Sequence, residues 1–261
     1  MSSTHRMQPE GIPGKALEDW GGYPPETLDA GTPQQHGVLY LDETVHKVTA
    51  GVWTCTAMTG KMGAWSSNEF MVLLEGTVNV VHHSGEELTV HAGECFVIPK
   101  GTICQWKQPG FVRKFFVIEE NSAISGADDP TRLKAFKVDT SAALPAAKGP
   151  DPALIIGEQQ PTWGDRLVYE DPSGQFLVGV WSTTPYRRKT IDFPRHELML
   201  LLEGSVTISD DQGDEQTFNA GETILVEKGT RMGWSNGEPV KKVYCIYLPK
   251  AVATPRAVAA E

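Results

Sequence analysis

At 261 residues with 40% hydrophobic side chains, the chain holds enough apolar material for two domains of ordinary size or one large β domain. Its 33 acidic and 23 basic residues give a net charge of -10, which disfavours nucleic acid and anionic membrane surfaces as partners. No apolar run approaches the roughly 20 residues that a spanning helix needs, and the opening residues MSSTHRMQ contain no apolar leader, so a cytoplasmic protein is expected. Cys55, Cys95, Cys104 and Cys245 lie far apart with no C-x-x-C pair, which predicts reduced, mostly buried thiols rather than a thiolate zinc site or a disulfide scaffold.

Residues 1–37 are rich in Gly, Pro and polar side chains and predict an arm without regular structure. From Val38 the chain turns to β-branched and aromatic runs: Val38 to Leu41, Val48 to Thr56, Phe70 to Leu74, Thr77 to Val81, Glu87 to Val90, Cys95 to Ile98 and Val112 to Ile118. Turn residues separate them at Gly76, Ser84-Gly85, Ala92-Gly93, Lys100-Gly101 and Pro109-Gly110. Short strands at such spacing predict an antiparallel sandwich or barrel. Residues 121–165 read as a connection with one short strand at Ala153 to Ile156, after which the first pattern returns over 166–250; the tail 251–261 is Ala-rich and expected to fray.

The two β regions are copies. Glu69 to Gly76 (EFMVLLEG) returns as Glu197 to Gly204 (ELMLLLEG), a shift of 128 at both ends. Gly51-Val52-Trp53, Ala92-Gly93-Glu94, Lys100-Gly101-Thr102, Trp106 and Lys114 return at the same shift as Gly179-Val180-Trp181, Ala220-Gly221-Glu222, Lys228-Gly229-Thr230, Trp234 and Lys242. Roughly a third of the positions between Gly51 and Ile118 are identical in the copy without a gap, the mark of a duplicated domain rather than a solenoid.

The order Glu-x6-Gly followed by Gly-x5-Pro-x-Gly, present as Glu69 to Gly76 and as Gly93, Pro99 and Gly101, resembles the two motifs of the cupins. The second copy matches at Gly221 and Gly229 but carries Glu227 in place of the proline. The Gly-Val-Trp, Glu-Leu-x4-Glu-Gly and Gly-Thr-x3-Trp runs are similar to the branch of ethanolamine-utilisation-type cupins related to ureidoglycine aminohydrolase. The resemblance implies an all-β fold of two tandem cupin double-stranded β-helix (jelly-roll) barrels. Of function it implies little, since cupins include oxygenases, isomerases, decarboxylases, hydrolases and plain binders.

A metal-binding cupin has His-x-His-x4-Glu in its first motif and another His three residues beyond Pro-x-Gly. Here Glu69 and Glu197 match the acid, but the histidine positions hold Met62, Ala64 and Cys104 in the first copy and Thr190, Asp192 and Met232 in the second. A carboxylate with a thiol, or with a thioether and Asp192, is a poor donor set for Fe, Mn or Zn, so neither a metal nor another cofactor is expected. His196 adjoins Glu197 on a strand and is expected to face the other way. His82, His83 and His91 sit near turns and read as solvated.

A lone carboxylate inside an apolar barrel must be neutral or meet a cation. Alternate residues of the last strand match between copies (Val112, Lys114, Phe116 and Ile118 with Val240, Lys242, Tyr244 and Ile246), which points Lys114 and Lys242 inward. Two arrangements follow: Glu69 pairs with Lys114 and Glu197 with Lys242, or the lysines reach a rim and the acids take a backbone N–H or water. Trp106 and Trp234 are either core or the wall of a ligand pocket. Cys104 is either a buried thiol or a nucleophile without a recognisable base. Arg187, Arg188 and Lys189 form either a solvated loop or an attraction for an anion.

The second set of site residues is the more polar, which makes the second barrel the expected working one. The leading functional expectation is a binder of a small polar metabolite, with Glu69, Cys104, Trp106, Lys114, Asp192, Glu197, Met232, Trp234 and Lys242 as its candidate ligand-binding residues. A hydrolase or isomerase acting on a nitrogen-containing or carboxylated metabolite is the rival, and a structural module with closed pockets the third reading. Edge strands and a long arm fit a homodimer.

Overall fold

The computed structural model describes residues 4–120, 129–158 and 160–249, so the expected fraying tail from Ala251 lies outside the described residues. Each copy folds into a barrel of two antiparallel sheets. In the first barrel, a seven-stranded sheet runs in the order Phe136–Lys137, Cys95–Ile98, Asn68–Glu75, Val112–Glu119, Val48–Cys55, Gln35–Glu43 and Glu18–Gly21. It faces a sheet built from Glu87–His91, Thr77–His82, Ile103–Gln108, Met58–Gly60 and Leu28–Ala30, with Gly63–Ala64 also pairing Ile103–Gln108. The second barrel repeats the plan. Thr4–Met7, Thr223–Val226, His196–Glu203, Val240–Tyr247, Phe176–Thr183, Trp163–Glu170 and Ala146–Ala147 face Tyr186–Asp192, Arg231–Asn236, Ser205–Ser209 and Glu215–Asn219.

Near-continuous apolar runs such as FMVLL arise because both faces of the seven-stranded sheets are covered. Met71, Leu73, Val112 and Phe116 fill the first barrel, and Met199, Leu201, Ile224 and Val240 the second. The alternate residues Phe70, Val72, Phe115 and Val117 meet Leu198, Leu200, Val243 and Cys245 in a third cluster between the barrels. Glu69 therefore faces a barrel interior while Phe70 faces the other barrel.

The segments expected to be irregular carry short strands whose pairing comes from elsewhere in the chain. Thr4–Met7 pairs with Thr223–Val226 of the second barrel, and Phe136–Lys137 of the connection pairs with Cys95–Ile98 of the first. Positions 95 and 223 differ by the same 128, so each copy lends its leading segment to the edge of the other's sheet. The strand expected at Ala153 to Ile156 is instead a 3-10 turn, Pro152–Leu154, opened by Pro152 and capped by the Asp151 carboxylate on the Ala153 N–H. Only Ile155 makes an isolated bridge there, to Arg188. All four cysteines are free and buried. No helix among the described residues is long and apolar enough to cross a membrane.

Candidate functional site

The acid-headed strands Asn68–Glu75 and His196–Glu203 are held at their far ends by turns that only glycine fits. Gly76 and Gly204 have φ of +89° and +76°, and a Cβ there would lie 2.2 Å from the Phe111 carbonyl oxygen and 2.1 Å from that of Pro239. An extra residue, Leu74 or Leu202, resets the register next to the turn, and beyond it the two-residue period puts Glu69 on the inward face of Met71 and Leu73, and Glu197 on that of Met199 and Leu201.

Both carboxylates meet a lysine. Lys114 Nζ donates to Glu69 Oε1 at 2.6 Å, and Lys242 Nζ to Glu197 Oε1 at 2.7 Å. Neither lysine reaches a rim, since each is only 6% exposed. Two indole faces flank each ammonium: Trp53 and Trp106 at 4.8 and 4.9 Å from Lys114, and Trp181 and Trp234 at 4.9 and 5.2 Å from Lys242. Met71 and Met199 sulfurs complete the surroundings at 3.2 and 2.9 Å. These residues do not fit the divalent metal that the cupin fold implies. A cation already stands against the carboxylate in each barrel, and no group of three His, Cys, Asp or Glu among the described residues converges to supply ligands.

Around this shared pair the barrels differ. The first cavity, about 380 Å³, is walled by Trp20, Tyr23, Trp53, Trp65 and Trp106. Three of its indole N–H groups are internally satisfied: Trp53 on Gln35, Trp65 on Glu69 Oε2 at 3.1 Å and Trp106 on Gln108. Cys104 lines it as a buried thiol, pushed up to about 12 by burial and by the Glu69 charge, which removes it as a nucleophile at neutral pH.

The second cavity, about 580 Å³, collects Asp165, Arg188, Arg195, Glu197, Lys242 and Tyr244. Arg195 donates through Nε and Nη2 to Glu197 Oε2, both at 2.8 Å. Burial alone pushes the Glu197 carboxyl up, but Arg195 and Lys242 together hold it at about 2. Burial pulls the Lys242 ammonium below its ordinary range, with Glu197 opposing. The Tyr244 hydroxyl donates to Asp165 Oδ1 at 3.0 Å, and burial raises the Asp165 carboxyl despite that bond. The arrangement presents a fixed ion triad, a carboxyl raised by burial and a further guanidinium on one cavity.

Of the sequence candidates, Glu69, Cys104, Trp106 and Lys114 line the first cavity, and Glu197, Met232, Trp234 and Lys242 the second. Asp192 does not join them. Its side chain is 76% exposed and faces Arg231 at 3.4 Å. The strand Tyr186–Asp192 carries an extra residue between Arg188 and Ile191 relative to its partner strand, which resets the alternation so that Tyr186, Arg188 and Ile191 face inward and Asp192 outward. His196 faces away from its barrel as expected, yet is buried against Tyr247. His82, expected in solvent, is buried because it continues the inward set Val78, Val80, His82 of its strand. Sequence reasoning missed Asp165 and Arg195, and placed Tyr244 on the inward face of its strand without giving it a role. A comparison across the 128-residue shift exposes them, since they replace Gly37, Ser67 and Phe116, and Arg188 replaces Gly60.

Two jelly-roll barrels in tandem, each with a motif carboxylate inside, define a bicupin. The EutQ-like cupin domain model matches residues 43–116 and 170–244, more than half of the chain, and the chain belongs to that family. A protein of unknown function from Pseudomonas syringae pv. tomato is 24% identical with a TM-score of 0.74, over 94% of this chain and 100% of that one. A cupin 2 conserved barrel domain protein from Leptotrichia buccalis is 11% identical with a TM-score of 0.56, over 85% and 99%. The protein Ylba from E. coli is 10% identical with a TM-score of 0.51, over 89% of each chain. At these identities the likeness concerns the fold. No curated protein matches the chain.

Proposed function

We propose that this chain is a cytoplasmic bicupin that binds a small polar metabolite in its second barrel, with the Glu197–Lys242 pair standing where other cupins hold a metal. The observation that carries this reading is the convergence of the charged side chains Lys148, Asp165, Arg188, Arg195, Glu197 and Lys242, with Tyr244, on one cavity of about 580 Å³. Few polar groups converging on a largely apolar cleft is the usual make-up of a small-molecule site. The first barrel keeps the ion pair and walls it with indole.

The raised carboxyl of Asp165, bonded to the Tyr244 hydroxyl, favours a second reading: a hydrolase or isomerase of the ureidoglycine aminohydrolase-like branch, acting on a nitrogen-containing or carboxylated metabolite, with Asp165 as the group that moves a proton. A thermal-shift screen of amides, polyols, amines and carboxylates tests the site, because a ligand bound only by the folded protein raises the melting temperature. The expected result is a stabilising ligand whose effect weakens in Tyr244→Phe, the residue that stands in the first barrel. A ligand indifferent to that change and displaced by Trp106→Ala would move the site to the first barrel. Turnover of the same ligand, lost in Asp165→Asn, would favour the enzyme.

A further inference from the structure

We propose that Arg188 is the anchor for a carboxylate group of the metabolite, so that the second barrel selects small carboxylic acids; this rests on the reading that the second cavity is the ligand site. Arg188 is the middle residue of Arg187-Arg188-Lys189, which has the look of a solvated basic run. Its neighbours are exposed, and Lys189 donates to the Ala153 carbonyl at 2.9 Å. Strand alternation turns Arg188 alone into the cavity.

There its guanidinium is under-used. Nη2 reaches only the Met232 carbonyl, at a long 3.3 Å, and Nε is buried with no partner. Among the described residues no carboxylate lies within ion-pair distance of it. The obvious acids are otherwise engaged: Glu197 takes Arg195 on one oxygen and Lys242 on the other, and Asp165 takes the Tyr244 hydroxyl. The arginine–glutamate–lysine triad therefore carries one net positive charge, and Arg188 adds another. Lys148 also lines the wall, so even with Asp165 ionised the cavity keeps an excess of positive charge, which an anionic ligand offsets. A planar carboxylate also offers the paired acceptors that a guanidinium fork takes best. In the first barrel the equivalent position is Gly60, and no such demand exists.

A buried cation kept for a ligand has a signature that a structural arginine lacks: replacing it by an apolar residue of similar length leaves the empty protein no less stable. The test is calorimetric titration of the full chain with acetate, glycolate, succinate, neutral glycolamide and inorganic phosphate, together with melting of ligand-free Arg188→Met. The expected result is binding of at least one carboxylate and not of glycolamide. Affinity should fall at least about tenfold in Arg188→Met and less in Arg188→Lys, stay unchanged in the exposed Asp192→Asn, and the ligand-free Arg188→Met protein should melt no lower than wild type. Glycolamide binding as well as glycolate would overturn the carboxylate anchor while keeping the cavity as the ligand site. Phosphate binding more tightly than every carboxylate, or a clear drop in melting temperature of ligand-free Arg188→Met, would overturn it too. No binding of any probe would remove the ligand-site reading and the anchor together.

Discussion

The two barrels put the same carboxylate against the same ammonium between the same pair of indoles, and then diverge at the cavity wall. Gly37, Gly60, Ser67 and Phe116 of the first correspond to Asp165, Arg188, Arg195 and Tyr244 of the second, and Trp65, which donates to Glu69, is replaced by Phe193, whose ring has no N–H to give. The parts kept in both copies are the Glu-Gly turn, the buried pair and the flanking tryptophans. The parts that differ decide what each cavity presents to a ligand. Duplication thus separates two burdens that a single barrel would carry together, and the electrostatic support of the acid shows it. Glu69 relies on one cation and an indole N–H, Glu197 on two cations.

That difference predicts unequal damage when a lysine is removed. Lys114→Met leaves Glu69 with Trp65 alone, and urea denaturation should register a loss of roughly 3–5 kcal/mol. Lys242→Met leaves Glu197 bonded twice by Arg195, so its cost should be smaller, about 2 kcal/mol. The reverse order would break the comparison. Adding Glu69→Leu to Lys114→Met should recover most of the loss, because an apolar pair needs no compensation in that core.

The next effect is on acid stability. Glu197 is held at about 2, below its ordinary 4.5, so the native state resists protonation and the pair's contribution is complete above pH 4.5. It should fade as the pH drops from 4.5 towards 2, by about 3 kcal/mol at about 1.4 kcal/mol per unit. Urea midpoints measured across that window should slope less in Glu197→Gln than in wild type; equal slopes would place the acid sensitivity elsewhere.

The smallest effects concern Asp192, which the structure places outside the cavity, and Cys104, which it keeps on the first cavity as a buried thiol. Asp192→Asn should change stability by no more than about 0.5 kcal/mol, since its side chain is 76% exposed beside Arg231. Cys104, with its thiol near 12, should resist iodoacetamide in the native protein at neutral pH.

The buried pairs were legible in the sequence because strand alternation is strict in Val112–Glu119 and Val240–Tyr247, so the parity of Lys114 and Lys242 could be read directly. Parity failed for Asp192, where one extra residue after Arg188 reverses inside and outside, a shift that no composition signal announces. The leading strands were illegible for another reason. Thr4–Met7 and Phe136–Lys137 are too short to show a period and exist only because each meets the edge of the other barrel's sheet. Asp165 and Arg195 stood outside the family motif, and their role depends on cavity walls that local patterns do not encode, whereas alternation put Tyr244 on the face of Lys242 without revealing its partner Asp165.

A lysine neutralises the motif carboxylate in each barrel. Elemental analysis of the full chain, purified after growth with Mn, Fe, Ni and Zn supplied, tests it most directly. Metal should stay far below one ion per barrel, and a chelator should leave the melting temperature unmoved. Stoichiometric metal that is lost in Glu69→Gln or Glu197→Gln would contradict it.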